Sequence, residues 1–276
     1  MDITIGCDPE LFVVNKDGKF RSAHGLIPGT KEKPFIVRDG AVQVDGMALE
    51  FNTDPVDNAD DFVNKITSVM GQMKEMIPAD YEFAIVPSCR FNGNHFRIQP
   101  EEARELGCTP DFNAYTGLAN PRPDNKTTMR TASGHVHIGF CQDADVDSDE
   151  HRTRCATLIK QLDVYLGLPS LLFDNDKKRR AMYGAAGAFR PKPYGVEYRV
   201  LSNAWLLSEQ RMRFVFNQTV KAVNDLVNGI RPNEVIRPQP IQQVINRSEN
   251  FRVRALLNRG LGQAGIDMAL EASLLL

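Results

Sequence analysis

Residues 189–203 read FRPKPYGVEYRVLSN, from Phe189 to Asn203. Glu197, Tyr198 and Arg199 sit there between Val196 and Val200, a strand-like setting. Side chains two apart on a strand project from one face, so Glu197 and Arg199 reach one site together. Upstream, Arg179 and Arg180 precede the small-residue run GAAGA, and Arg190 and Lys192 follow it. Arginine suits bidentate contact with phosphate oxygens. A solvated basic face would not interleave its charges with Gly, Ala, Phe and Tyr, so the segment points to an anion site.

Three other stretches add acids and imidazoles. In GCDPEL, residues 6–11, Asp8 and Glu10 share a strand face. Paired carboxylates repel unless a cation lies between them, and hard oxygen ligands suit Mg²⁺ or Mn²⁺. By themselves the two acids fit a surface hairpin better. In VDGMALEFN, residues 44–52, Glu50 stands between Leu49 and Phe51, and in SGHVHIGF, residues 133–140, His135 and His137 share a face. The opening hexamer has an echo at residues 107–112, GCTPDF. The surrounding patterns do not recur, so no repeat is implied. Asp111 and Asn113 read either as pocket-lining groups or as turn formers.

Composition narrows the class. The chain has 276 residues, 42% hydrophobic and 25% charged, which sets the expectation of a globular protein with a sizeable core. A net charge of −2 gives no electrostatic case for a nucleic-acid partner. Five cysteines without C-x-x-C spacing read as reduced thiols of a cytoplasmic protein. Neither an export signal nor a membrane span is expected. The phosphate-loop pattern GxxxxGK[ST] is absent, and Gly260, Gly262 and Gly265 match GxGxxG without a βαβ unit around them.

Periodicity predicts the elements. The first fifty residues read as strands, with NKDGKF as a hairpin. Phe62, Val63, Ile66, Val69, Met70, Met73 and Ile77 predict a helix capped by Asp57 or Asn58. YEFAIVPS and GHVHIGF predict strands. Cys155 to Leu166 and Met212 to Val227 predict two more helices, and a polar loop spans about 99–131. After Arg231 a Pro-rich linker and two short helical patterns are expected. The fold class is α+β, a mainly antiparallel sheet covered by helices, in one domain over 1–276 with a helical tail at 206–276.

Taken in order, an acid-x-Glu strand, a Glu strand, SG-H-x-H, the Arg-rich YG-x-x-G-x-FR-x-KPYG and E-x-R resemble the glutamine synthetase-fold carboxylate–amine ligases. The resemblance runs in patches from Gly6 to about Trp205 and is nearest to the phage-type COOH–NH2 ligases, or amidoligases, relatives of glutamate–cysteine ligase. It implies a glutamine synthetase-like curved sheet and an ATP-dependent ligase that forms an amide through an acyl phosphate. The implied cofactors are ATP and Mg²⁺ or Mn²⁺. The implied metal ligands are Asp8, Glu10, Glu50, His135 and Glu197, and the implied catalytic groups are Arg199, Arg190 and Glu50. Arg190, Lys192, Arg199, Arg180 and His137 would hold the nucleotide. Asp8 departs from the Glu of glutamine synthetases, and Asn52 stands where they supply a further acid, so two ions are expected rather than three.

The implied partners are small-molecule or peptide acids and amines, in the cytoplasm, a host's if the protein is phage-encoded. A homo-oligomer is possible. A guanidino-kinase-like phosphotransferase and an inactive binding protein on the same scaffold are the alternatives. A metal-dependent hydrolase would need no Arg-rich strand.

Overall fold

Alternation along one long strand sets the architecture. The computed structural model describes residues 3–105, 111–121, 127–174 and 176–276. In chain order the strands are β1 (Thr4–Asn15), β2 (Phe20–Arg21), β3 (Phe35–Val37), β4 (Gly40–Asp45), β5 (Ala48–Thr53), β6 (Tyr81–Ala84), β7 (Ser88–Arg90), β8 (Phe112–Asn113), β9 (Met129–Thr131), β10 (Gly134–Gly139), β11 (Ala188–Lys192) and β12 (Gly195–Tyr198). The main sheet runs β3-β4-β5-β1-β10-β12-β11-β8, with β2 and β6 also paired to β1, while β7 and β9 form a separate pair. Every described pairing is antiparallel.

In β1 the odd positions Ile5, Cys7, Leu11 and Val13 point into the main core, with Val136, Ile138, Val196 and Tyr198 from the neighbouring strands. The even positions carry Asp8 and Glu10 on the other face. Helices cover the apolar face. Helix Ala59–Met76 buries Phe62, Val63, Ile66, Val69 and Met73, and the Asn58 side chain accepts from Asp61 N as its cap. Phe62 stacks on Trp205 with centroids 5.9 Å apart and meets Phe216 from helix Glu209–Val227 at 5.5 Å. Trp205 Nε1 donates to Gly134 O at 3.0 Å, and a Cβ on Gly134 would collide with that ring and with Ser202. The helical layer is thereby tied to the start of β10.

The predicted hairpin forms between β1 and β2, with Gly18 at φ 70° and the Asn15 side chain accepting from Asp17 N and Lys19 N. The second predicted helix, Asp149–Leu162, continues as a π-helical turn, Asp163–Gly167, which buries a charged residue. Gly262 lies between two helices at φ 59°, so the GxGxxG match is a helix junction.

Three expectations need correction. YEFAIVPS is a strand only over Tyr81–Ala84. The polar loop at 99–131 contains helix Glu101–Arg104 and the strands β8 and β9. After Arg231 there are four α-helices rather than two, and the Pro-rich stretch opens helix Pro238–Arg247. Proline at the first helical positions lacks only N–H groups that would be unbonded anyway, so it starts a helix there instead of breaking one.

Candidate active site

Register across the sheet assembles the site. Glu10 stands opposite Glu50, and Glu50 opposite Gln43. Asp8 stands opposite His135, His137 opposite Glu197, and Glu197 opposite Arg190. Cross-strand partners share a face, so one row of acids, imidazoles and cations crosses β4, β5, β1, β10, β12 and β11.

Asp8 is the hub. Its Oδ1 lies 3.2 Å from His135 Nδ1 and 3.2 Å from His137 Nε2. His135 Nδ1 is also 3.4 Å from Glu197 Oε1. Asp8 Oδ1, His135 Nε2 and His137 Nε2 are buried without a hydrogen-bond partner among the described residues. Ligand atoms of Asp8, His137 and Glu197 lie within 4.8 Å of one another. His137 Nδ1 meets the Tyr194 hydroxyl. With Nδ1–H donating there, Nε2 keeps its lone pair for a cation. The orphaned atoms and the oxygen-rich donor set fit a divalent ion.

Electrostatics agree with that fit. Burial, then the charges of Asp45 and Asp8, push the Glu10 carboxyl up to about 7, against a hydrogen bond from Ser133 N to its Oε2 at 2.7 Å. Burial and then Asp8 raise Glu50 well above the usual carboxylate range, although Gln43 Nε2 donates to it at 2.7 Å. Burial would raise Asp8 too, but His137 and His135 hold it well below the usual range. Burial, then Arg199, depress His135 to about 3. Crowded carboxylates beside the neutral His135 ring are what a divalent cation would stabilise.

The cations cluster on Glu197, which is fully buried. Lys192 Nζ approaches its Oε2 at 2.9 Å and Arg190 Nη1 at 3.5 Å. Arg199, just past β12, contacts Glu197 Oε1 through Nη1 and the Tyr183 hydroxyl through Nη2. Its Nε donates to Asp111 Oδ2 at 3.3 Å. Two clefts open on the face. One, of about 470 Å³, is lined by Asp8, Gln43, Glu50, Asn52, His137 and Tyr194. A smaller one is lined by Glu10, Asp45, Glu105, Arg130, Ser133 and Tyr183.

The structure therefore brings Asp8, Glu10, Glu50, His135, His137, Arg190, Lys192, Glu197 and Arg199 to one face. Arg180 is not among them. It points into the helical layer, with Nη2 3.4 Å from Asp174 Oδ2 and 3.3 Å from Ser170 Oγ, so the expectation that it holds nucleotide is corrected. Arg179 is structural as well: fully buried, it donates to the carbonyls of Ala132, Val200 and Leu201 and to Ser133 Oγ. Both sit on the short helix Lys177–Met182, where they are buried.

Of the second hexamer, residues 107–110 lie outside the described residues, but its acid has a place. Asp111 is a buried partner of Arg199, while Asn113 is the turn former, its Oδ1 accepting from Tyr115 N and Thr116 N. Gln43, Asp45, Tyr183 and Tyr194 were missed. Gln43 and Asp45 do alternate with the apolar residues of β4, a signal available in the sequence.

A family model described as "Phage phiEco32-like COOH.NH2 ligase-type 2" matches residues 131–252. No curated protein matches the sequence. By structure the chain is similar to a bifunctional glutathione synthetase from Pasteurella multocida, with TM-score 0.52 and 11% identity over 99% of this chain. The chain spans 46% of that protein's length. A novel glutamine synthase homolog aligns with TM-score 0.39 and 11% identity, covering 100% of this chain and 71% of the other. The ligand-free protein GmaS aligns with TM-score 0.43 and 13% identity, covering 98% and 67%. The glutathione synthetase likeness is one of fold, an antiparallel sheet backed by helices. The matched residues 131–252 include the His135–His137 strand, Glu197 and Arg199.

Proposed function

We propose that the protein is an ATP-dependent carboxylate–amine ligase that joins an acid to an amine through an acyl phosphate, releasing ADP and phosphate. One observation carries this reading: metal-type acids and phosphate-type cations occupy a single sheet face in hydrogen-bonded register. The family match over residues 131–252 supports the ligation of an acid with an amine.

Asp8, Glu10, Glu50, His135 and Glu197 would hold two divalent ions, with His137 as a further ligand. Bound Mg²⁺ or Mn²⁺ would neutralise polyphosphate charge and polarise the phosphoryl oxygens. Arg190 and Lys192, now paired with Glu197, would bind the nucleotide's phosphates. Arg199 is held by Asp111 and Tyr183 before any substrate arrives, so it can stabilise charge on the transferring phosphoryl group with little reorganisation. The large cleft beside Asp8 and Glu50 and the small one beside Glu10 flank the ligands, giving two approaches to one centre.

The test is product analysis. With a competent acid and amine, ADP and phosphate should appear in step with the amide. The acid alone plus hydroxylamine should yield a hydroxamate. AMP and pyrophosphate would overturn the reading in favour of an adenylating enzyme.

A further inference from the structure

Past Glu10 the same sheet face carries a second concavity that the ligase reading does not use. A cavity of about 740 Å³ opens between β2 and residues 90–98, lined by Lys19, Arg21, Arg90, Phe91, Asn94 and His95 among others. Its charge is one-sided. Among the described residues no carboxylate lines it and no ion pair includes Lys19, Arg21 or Arg90. Three cations therefore line one hollow, Arg90 donating from Nη1 to Thr128 Oγ1 at 3.4 Å, and together they give it a positive local field.

The base of the hollow is rigid. Phe12, Phe20 and Phe91 pack edge to face with centroids 6.0 to 6.2 Å apart. Phe12 lines the small cleft at Glu10, whereas Phe20 and Phe91 line the cavity, so an aromatic wedge stands between the two spaces. His95 Nε2 accepts from Ser22 N at 3.0 Å, which leaves Nδ1 as the N–H donor of the neutral ring. Burial and then the charge of Arg21 lower the His95 pKa, which keeps the ring in that neutral form. The site thus combines cations and neutral donors on a fixed apolar floor, at a size that suits a small ligand.

We propose that this cavity binds a small molecule carrying two or more anionic groups, phosphates or carboxylates. Guanidinium forks at Arg21 and Arg90 would take those groups and Lys19 would add a mobile charge. The wedge keeps such a ligand off the Asp8–Glu10 cluster, so the site is separate from the proposed reaction centre and does not depend on it.

Calorimetry on the full chain in EDTA tests this, with inorganic tripolyphosphate and tricarballylate as probes in parallel arms. Binding of at least one probe should weaken tenfold or more in Arg21→Glu/Arg90→Glu and fall as salt rises. It should be unchanged in Arg190→Gln, which alters the other anion site. A response to tripolyphosphate alone identifies a phosphate ligand, and one to tricarballylate identifies a carboxylate ligand. If the charge reversal misfolds by circular dichroism, Arg21→Gln/Arg90→Gln replaces it with the same expectation. No heat from either probe, or binding lost in Arg190→Gln and kept in the double variant, overturns the proposal.

Discussion

Asp111 Oδ2 accepts a hydrogen bond from Arg199 Nε at 3.3 Å, although 88 positions separate the two residues. With Nη1 on Glu197 and Nη2 on Tyr183, the guanidinium is held on three sides. Arg199→Lys keeps the charge and removes the fork. It should lower kcat by about 30- to 1,000-fold, on the order of 2–4 kcal/mol of transition-state stabilisation. ATP affinity should fall far less. Asp111→Asn keeps an acceptor but drops its charge, so kcat should move the same way by a smaller factor. Steady-state kinetics beside direct ATP titration separate the two quantities. Equal losses in both would make Arg199 a ground-state grip.

Divalent ions should stabilise the fold as well as assist turnover. A ligand at a hundred times its Kd adds about 2.7 kcal/mol, enough to raise Tm by several degrees in a protein this size. Mg²⁺ or Mn²⁺ should therefore raise the melting temperature of the wild type, while Asp8→Asn and Glu197→Gln should abolish that shift. Differential scanning calorimetry without nucleotide reads it directly. A wild type indifferent to both ions would remove the metal assignment.

Arg179 offers a contrast, since its donors serve backbone carbonyls. Arg179→Met should strip the carbonyls of Ala132 and Val200 of this donor and leave Leu201 O with only the Gly134 N–H, costing about 2–4 kcal/mol in total. Urea unfolding measures this. Stability within about 0.5 kcal/mol of wild type would mean that water replaces the guanidinium.

Asp163 carries a pH signature. It is fully buried and accepts from Tyr198 at 2.8 Å and Tyr115 at 2.9 Å. Burial pushes its carboxyl up to about 7 despite those bonds, from an ordinary value of 3.8. Between these values the native state holds a proton that the unfolded state has released. The associated stability is complete below about pH 4 and is lost as pH rises through about 7. Asp163→Asn should flatten that fall in urea midpoints measured from pH 4.5 to 7.5. An unchanged slope would show that Asp163 does not titrate there.

Much of the site was legible because strands obey a period of two. That rule put Asp8 with Glu10, His135 with His137 and Glu197 with Arg199 before any pairing was known. The helix at Ala59–Met76 and its Asn58 cap were legible for the same local reason. Arg180 was misjudged because a charge in a short helix has no strand parity to report its direction. The proline-rich tail was misjudged because proline both breaks helices and starts them, and only the flanking packing decides which.

The sequence by itself determined which side chains share a face within each strand, where the long helices begin, and the order of the acid, histidine and arginine motifs. Only the tertiary structure decided that β1 lies between β5 and β10, which brings Glu50 to Glu10 and His135 to Asp8. It also decided that Asp111, rather than Arg180, belongs with Arg199. The physical reason is range. Periodicity is set by bond geometry a few residues at a time, whereas strand neighbours and buried charge partners are chosen by the packing of segments far apart in the chain.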